Sequence, residues 1–247
     1  MVAAPWQFWI DRGGTFTDCL SVSPEGLIRT TKVLSSDDAP VEAIRQILDE
    51  AGAGAPETVE GVVKLGTTVA TNALLERRGI PTALLTHTDL SGVFDIGTQE
   101  RPELFELEIE RPTPLQQWRL ESPGRRDAQG ENVEALDLDE AARKMRRAHE
   151  EGARSLAIVQ MHAHAFPEDE RRLAERAREI GFEHVVGSHE MAREMGFLSR
   201  GETAIADAYL TPLLLGHVRK LAEDLPRMQL RYMQSSGGLT EGERFRG

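Results

Sequence analysis

"WIDRGGTFTDCLSV", Trp9 to Val22, decides how the rest of the chain is read. Gly13 and Gly14 join two stretches, "QFWID" and "DCLSVS", that read as strands, and the acids Asp11 and Asp18 stand on either side. One reading of Gly-Gly between strands is a tight hairpin turn that needs positive φ. The other is a nest of amides. Gly13 to Thr15 offer consecutive N–H groups without bulky side chains, and Thr15 and Thr17 add hydroxyls. Such a nest binds phosphate oxygens. A carboxylate beside a phosphate is repulsive unless a cation lies between them. Asp11 and Asp18 therefore make sense together with Mg²⁺, which usually keeps bridging waters. No Gly-Lys-Ser/Thr follows, so the stretch is not a P-loop, and no helix follows the glycines, so it is not a dinucleotide fingerprint.

"KLGTTVATNALLERRG", Lys64 to Gly79, has the same character. A strand ends at Gly66, and Thr67 and Thr68 open a helix with Thr67 as a suitable N-cap. Free amides at a helix N-terminus attract anions. Taken alone, the stretch is better accounted for by a plain capped helix.

The bulk properties narrow the function classes. The chain has 247 residues, 40% of them hydrophobic, enough for one large domain or two ordinary ones. A formal net charge of −12 argues against a nucleic-acid surface and against docking on anionic lipid. Cys19 is the one cysteine, so an intrachain disulfide is excluded and a reducing, cytoplasmic compartment is expected. The start "MVAAPWQFWID" lacks the pattern of a signal peptide, and no run of about 20 apolar residues predicts a membrane span.

Further along, strands alternate with helices, which predicts an α/β fold with mostly parallel pairing. "LIRTTKVL" reads as a strand. "APVEAIRQILDEAG" reads as a helix, with Pro40 in its first turn and Gly52 as its stop. "TTVATNALLERRG" reads as a helix closed by Gly79, and "PTALLTH" as a strand. Pro102, Pro112, Pro114 and Pro123 break up the stretch from Asp89 to Gly130. "LDEAARKMRRAHEEG" and "PEDERRLAERAREIG" read as helices, while "ARSLAIVQMHAH" and "EHVVGSH" read as buried strands. A long helix from about Glu202 to Leu225 carries Pro212 as a kink.

"IDRGGTFTD", "KLGTTVATNALLERRG", "IGTQERPELFEL", "FPEDE", "TAIADAYLTP" and "MQSSGGL" occur here in an order that resembles the N-terminal part of the hydantoinase A / 5-oxoprolinase family. The resemblance runs from about Trp9 to Leu239, and its first two motifs together are specific. It implies an actin-like ATPase architecture: a ribonuclease H-like half with a mixed sheet and flanking helices, plus an inserted α/β portion. It implies a hydantoinase/oxoprolinase N-terminal domain over residues 5–190 and the start of an ATPase domain over 200–247.

The resemblance also implies chemistry. Gly13, Gly14 and Thr15 would touch the phosphates of ATP, with Asp18, Thr67 and Thr68 beside them. Asp11 would be the catalytic carboxylate facing the Mg²⁺ shell through water. Asn72 and Arg101 are the expected substrate-binding residues, although Asn72, one turn inside the helix, serves equally as a solvent-facing residue and Arg101 as a partner of Glu100 or Glu103. The expected substrate is a cyclic amide, 5-oxoproline or a hydantoin, activated by phosphorylation of its carbonyl oxygen before ring opening. A ketone-activating carboxylase subunit of the acetone carboxylase type and a noncatalytic scaffold are the alternatives. Family members carry more chain after "MQSSGGL" and work with a hydantoinase B-type subunit or domain, so a second half of the cleft is expected elsewhere. An exposed sheet edge would favour a homo-oligomer.

The chain departs from the family pattern at Gly92 and Gly124, and at Ala163, His164 and Phe166, where Ser-Tyr-x-Asn is common. These departures bear on substrate identity more than on fold. In "MHAH", His162 and His164 would share one face of a strand and so resemble a pair of metal ligands. Without a third ligand nearby, a packed or hydrogen-bonded role is expected. Asp169 and Glu170 are expected in the first turn of a helix, and Lys64 as a solvated strand residue or a phosphate contact.

Overall fold

A computed structural model describes residues 4–99, 105, 113–191, 195–242 and 245. In chain order the first elements are β1 (Trp6–Arg12), β2 (Phe16–Val22), β3 (Ile28–Leu34), α1 (Ala39–Ala51), β4 (Gly61–Thr67) and α2 (Val69–Leu75). Then come β5 (Thr82–His87), α3 (Val93–Ile96), β6 (Trp118–Ser122), β7 (Arg125–Arg126), β8 (Asn132–Glu134), α4 (Leu138–Glu150) and β9 (Ser155–Val159). The last are α5 (Glu168–Ile180), β10 (His184–Gly187), α6 (Ser188–Met191), α7 (Phe197–Asp224), β11 (Met228–Met233) and β12 (Leu239–Glu241). The architecture is α/β, in two compact units: residues 1–78 with 213–247, and residues 79–212.

The first unit is built on a six-stranded mixed sheet in the order β12-β11-β4-β1-β2-β3. Strands β1, β2 and β3 are antiparallel neighbours, while β1, β4 and β11 run parallel. Alternation along β1 and β2 sends Phe8, Ile10 and Cys19 to one face, where Ile44, Ile47 and Leu48 of α1 and Leu214, Val218 and Leu221 of α7 close over them. Each fully buried aliphatic side chain of this kind contributes roughly 1.5–3 kcal/mol. The opposite face carries Phe16, Leu20, Ile28 and Leu34, all exposed. Helix α1 begins as read, with Pro40 at its start, and stops at Gly52, whose φ of 66° only glycine adopts freely.

The second unit holds a four-stranded sheet, β10-β9-β5-β6, paired in parallel throughout. Both faces are covered. Leu85, Leu156 and Ile158 pack on Met145 of α4 and Leu173 of α5. Leu84, Ala157 and Val159 pack on Ala204, Ile205 and Ala208 of α7. Two-sided burial is why "SLAIV" is apolar without alternation. Helix α4 is capped by Asp137, whose carboxylate accepts the Glu140 N–H at 2.9 Å.

Three expectations shift. The helix after Thr68 ends at Leu75 rather than at Gly79, because Arg77 turns into the left-handed region at φ 56°. The strand read through "MHAH" ends at Val159, and His162 and His164 lie in the following turn, so they do not share a strand face. His162 itself has a left-handed φ of 60°, which no strand residue adopts. The long helix starts at Phe197, earlier than read, with Pro212 inside it. Ala204, Ile205 and Ala208 of this helix belong to the core of the second unit, and Leu214, Val218 and Leu221 to the core of the first.

Candidate functional site

The register of β1 and β2 pairs Asp11 with Asp18 and Arg12 with Thr17, which leaves Gly13, Gly14 and Thr15 as the connection. The Gly13 N–H donates to the Phe16 carbonyl at 3.1 Å and closes the turn. Neither glycine adopts a left-handed backbone, so positive φ is not what demands them. At Gly13 the demand is space: a Cβ there would stand 3.1 Å from the Phe16 carbonyl oxygen, whereas one on Gly14 would meet only Nδ2 of Asn72, at an ordinary contact distance of 3.4 Å. The nest is narrower than expected, because the Gly13 amide is spent inside the turn. The Gly14 and Thr15 N–H groups have no hydrogen-bond partner among the described residues.

The Arg12, Gly13 and Thr15 carbonyls have partners outside the turn. The Arg12 carbonyl accepts from the Thr68 N–H at 3.2 Å and from Thr68 Oγ1 at 3.1 Å. Ser35 Oγ donates to the Gly13 carbonyl at 2.8 Å, and the Ser35 N–H donates to the Thr15 carbonyl at 2.9 Å. Thr17 Oγ1 lies 3.0 Å from Ser35 Oγ. Since the single Ser35 hydroxyl hydrogen points at Gly13, Thr17 is the donor in that pair. Thr17 is fully buried, so its hydroxyl belongs to the scaffold and not to the open side of the turn as expected.

Beneath the turn, the Arg12 guanidinium donates to Asp37 Oδ1 at 2.9 Å and lies 3.3 Å from Nδ1 of His217. Burial, helped by the charge of Arg12, pushes the His217 imidazole down to about 4, so it is neutral at pH 7. The hydrogen bond from Arg12 holds the Asp37 carboxyl below its usual range.

The second stretch comes to the same place. Strand β4 runs parallel beside β1, with Gly66 opposite Asp11 and Thr67 opposite Arg12. A Cβ on Gly66 would stand 3.6 Å from Asp11 Oδ1, so the missing side chain keeps the carboxylate's flank open. Helix α2 is capped one residue later than read: Thr68 is the N-cap, while Thr67 Oγ1 accepts the Val69 N–H at 3.2 Å. Asn72, one turn on, donates from Nδ2 to Thr68 Oγ1 at 3.2 Å. Asp11, Gly13, Gly14, Gly66, Thr67, Thr68 and Asn72 therefore form one neighbourhood, although they come from two separate stretches of sequence.

Cross-strand alternation places Trp9, Asp11, Asp18, Leu20, Lys64 and Gly66 around a cleft of about 430 Å³ on the open face of the sheet. Asp18 pairs with Lys32 at 2.6 Å. The Lys64 ammonium sits 4.2 Å from the centroid of the Trp9 ring, a cation–π contact rather than a free phosphate ligand. Cys19 borders the cleft from within the sheet, and burial pushes its thiol up to about 12. Arg101, the other expected substrate residue, lies outside the described residues.

In the second unit, Glu170 stands in the first turn of α5 as expected, but fully buried. It accepts from the Gln160 N–H at 2.8 Å, Ser188 Oγ at 2.6 Å, the His189 N–H at 3.0 Å and His189 Nδ1 at 2.5 Å. His87 Nε2 accepts the Met161 N–H at 2.7 Å, and burial pushes the pKa of His87 down. The His162 and His164 rings are 6.3 Å apart, and no group of three or more His, Cys, Asp or Glu with metal-binding spacing occurs among the described residues. Ser35, Arg12 and His217 are the residues that sequence reading missed. "LSSDDAP" carries only a turn-and-cap signal, and His217 is 205 positions from Arg12.

A family model described as the hydantoinase/oxoprolinase N-terminal region matches residues 7–181. The 5-oxoprolinase of Dictyostelium discoideum is 33% identical over 98% of this chain and 22% of its own length. The chain thus spans about a fifth of the length of the curated relatives it matches. An ATP-dependent caprolactamase from Pseudomonas jessenii superposes with a TM-score of 0.81 at 25% identity, over 96% of this chain and 36% of that one. A nucleotide-free acetone carboxylase superposes at 0.75 and 20% identity, over 96% and 37%, and shares the fold. No helix among the described residues is long and apolar enough to cross a membrane.

Proposed function

The chain belongs to the hydantoinase/oxoprolinase family, and from that premise we propose that it is the N-terminal, phosphate-holding part of an ATP-dependent enzyme that opens cyclic amides. The observation that carries this reading is the Gly14–Thr15 turn. It offers two backbone N–H groups and, beside them, the Asp11 carboxylate, all without a hydrogen-bond or ion-pair partner among the described residues, with glycine on both flanks. The residues fit a nucleotide phosphate and its cation. The two amides would hold phosphate oxygens, Asp11 and Asp18 would hold Mg²⁺ through water, and the absent Cβ atoms of Gly14 and Gly66 leave room for both. Thr68 and Asn72 adjoin the same turn, with Thr67 beside them, and in this reading Asn72 would contact the substrate. Arg101 is retained in this proposal as the second substrate residue.

ATP, when bound, supplies the phosphoryl group that makes an amide oxygen a good leaving group. The chain's own part is positioning and charge, which is most of what phosphoryl transfer requires. The turn presents its amides without reorganisation, and the acids place the cation. Residues 5–190 form the family domain in this reading, with 200–247 the start of the ATPase domain. A C-terminal half, a hydantoinase B-type partner and a cytoplasmic location complete it. The shared fold of acetone carboxylase favours one second reading, a ketone-activating carboxylase subunit.

Two measurements test the proposal. Calorimetric titration of the chain with Mg-ATP is expected to show weak, Mg²⁺-dependent binding without turnover. Phosphate release by the full-length protein with its partner, across 5-oxoproline, hydantoins and acetone, is expected to depend on a cyclic amide. Release with acetone alone would select the carboxylase reading, and no binding to the chain at millimolar Mg-ATP would remove the phosphate turn.

A further inference from the structure

We propose that Ser35 is the positioning residue of the Gly13–Thr15 turn: it draws the Gly13 and Thr15 carbonyls to the rear so that the Gly14 and Thr15 amides face forward. The inference rests on the phosphate reading of this turn. A three-residue connection has carbonyls as well as amides, and a carbonyl oxygen turned toward a phosphate repels it. What makes such a turn anion-binding is therefore the disposal of its carbonyls. Here a single residue takes two of them, one through its hydroxyl at 2.8 Å and one through its backbone N–H at 2.9 Å.

The hydroxyl is committed in direction. Thr17, fully buried, donates to Ser35 Oγ and holds the serine hydrogen on Gly13. Register brings the residue there: β2 and β3 pair Phe16 with Leu34, so the next residue of β3's exit lies alongside Thr15. The Arg12 carbonyl, at the end of β1 where the chain enters the turn, is taken by Thr68, and the Gly14 carbonyl has no hydrogen-bond partner among the described residues. Polarity of the turn thus comes from two residues that lie outside it, 20 and 53 positions beyond Thr15.

The roles of the Ser35 side chain and main chain are separable. Ser35→Ala removes the bond to the Gly13 carbonyl and keeps the N–H bond to Thr15. Ser35→Thr keeps both. The test follows the Gly14 and Thr15 amide resonances of the isotopically labelled chain during titration with Mg-ATP, with thermal unfolding measured in parallel. Wild type and S35T are expected to shift these two resonances at similar concentrations. S35A is expected to need about tenfold more ligand, the loss that one hydrogen bond of ~1.4 kcal/mol produces. It should also show displaced Gly14 and Thr15 resonances before any ligand is added, with an unfolding midpoint somewhat below that of wild type, because the buried Thr17 hydroxyl loses its acceptor.

S35A binding as tightly as wild type would overturn the proposal. So would equal loss in S35A and S35T, which would make the effect steric. Loss of affinity in S35A only in proportion to lost stability would make Ser35 merely structural and would overturn it as well. If wild type itself leaves Gly14 and Thr15 unshifted while other resonances move, the phosphate turn is wrong and this proposal falls with it.

Discussion

Asp11 on β1 and Asp18 on β2 stand directly opposite one another, and of the two only Asp18 has an ion-pair partner among the described residues, Lys32 at 2.6 Å. Like charges facing each other across strands are destabilising by roughly 0.2–1 kcal/mol. In the proposed reading, such a pair beside an open cleft would hold a carboxylate for a cation.

The pair makes Asp11→Asn informative in two directions. Without Mg²⁺ the variant is expected to be more stable than wild type by up to ~1 kcal/mol, because the repulsion with Asp18 is gone. With Mg-ATP it is expected to lose the Mg²⁺-dependent part of binding. Urea unfolding in EDTA and in Mg²⁺ reads the first, and calorimetry the second. Lower stability in EDTA would show that Asp11 serves the fold instead.

The two glycines should respond differently to a methyl group. In Gly13→Ala the Cβ meets a backbone carbonyl at 3.1 Å, which cannot move without opening the turn. A loss of ~1–3 kcal/mol is expected. In Gly14→Ala the Cβ meets only the Asn72 side chain at 3.4 Å, and the φ is one that alanine accepts. Stability should hardly change, while Mg-ATP binding is lost. Denaturation midpoints compared with titrations check the contrast.

His217 predicts a specific pH dependence. Burial, and then the charge of Arg12, lower its pKa to about 4 in the folded chain, against ~6.5 when unfolded. Between these values the unfolded state binds a proton that the folded state refuses, so stability falls as pH drops from ~6.5 to ~4 and His217 adds no further change below that. The contribution is a few kcal/mol in order of magnitude. His217→Gln, which still offers Arg12 an oxygen acceptor, is expected to flatten the slope in that window. Asp37, depressed by Arg12, acts only at lower pH, below ~4. An unchanged slope in H217Q would contradict the assignment.

Glu170 tests the second unit. Four donors converge on its buried carboxylate, so Glu170→Ala strands the Gln160 and His189 N–H groups, Ser188 Oγ and the His189 ring. A loss of at least ~3 kcal/mol is expected. Calorimetric unfolding measures it, and a change under 1 kcal/mol would mean that water satisfies the site.

Some of this was legible without coordinates. The Gly-Gly turn between strands, the strand–Gly-Thr-Thr–helix order and the α/β class all follow from local rules. Residue period, backbone freedom at glycine and helix-breaking act over a few positions, so a linear string records them. That is why β1, β2, α1 and β4 lie where "WIDRGGTFTDCLSV", "APVEAIRQILDEAG" and "GVVKLG" put them.

What the string does not record is which distant groups meet. The Gly13 amide is consumed within its own turn, Thr17 faces inward, and Ser35 and Thr68 gather the carbonyls. "MHAH" has strand-like composition, yet its backbone turns away after Val159, and His162 adopts a left-handed φ. Arg12 meets His217 only because α7 packs on the sheet that begins the chain. Local propensity determined the elements and the motif. Which groups of the turn find partners was decided by tertiary packing, because hydrogen-bond partners are chosen by proximity in space and the strand register sets that proximity.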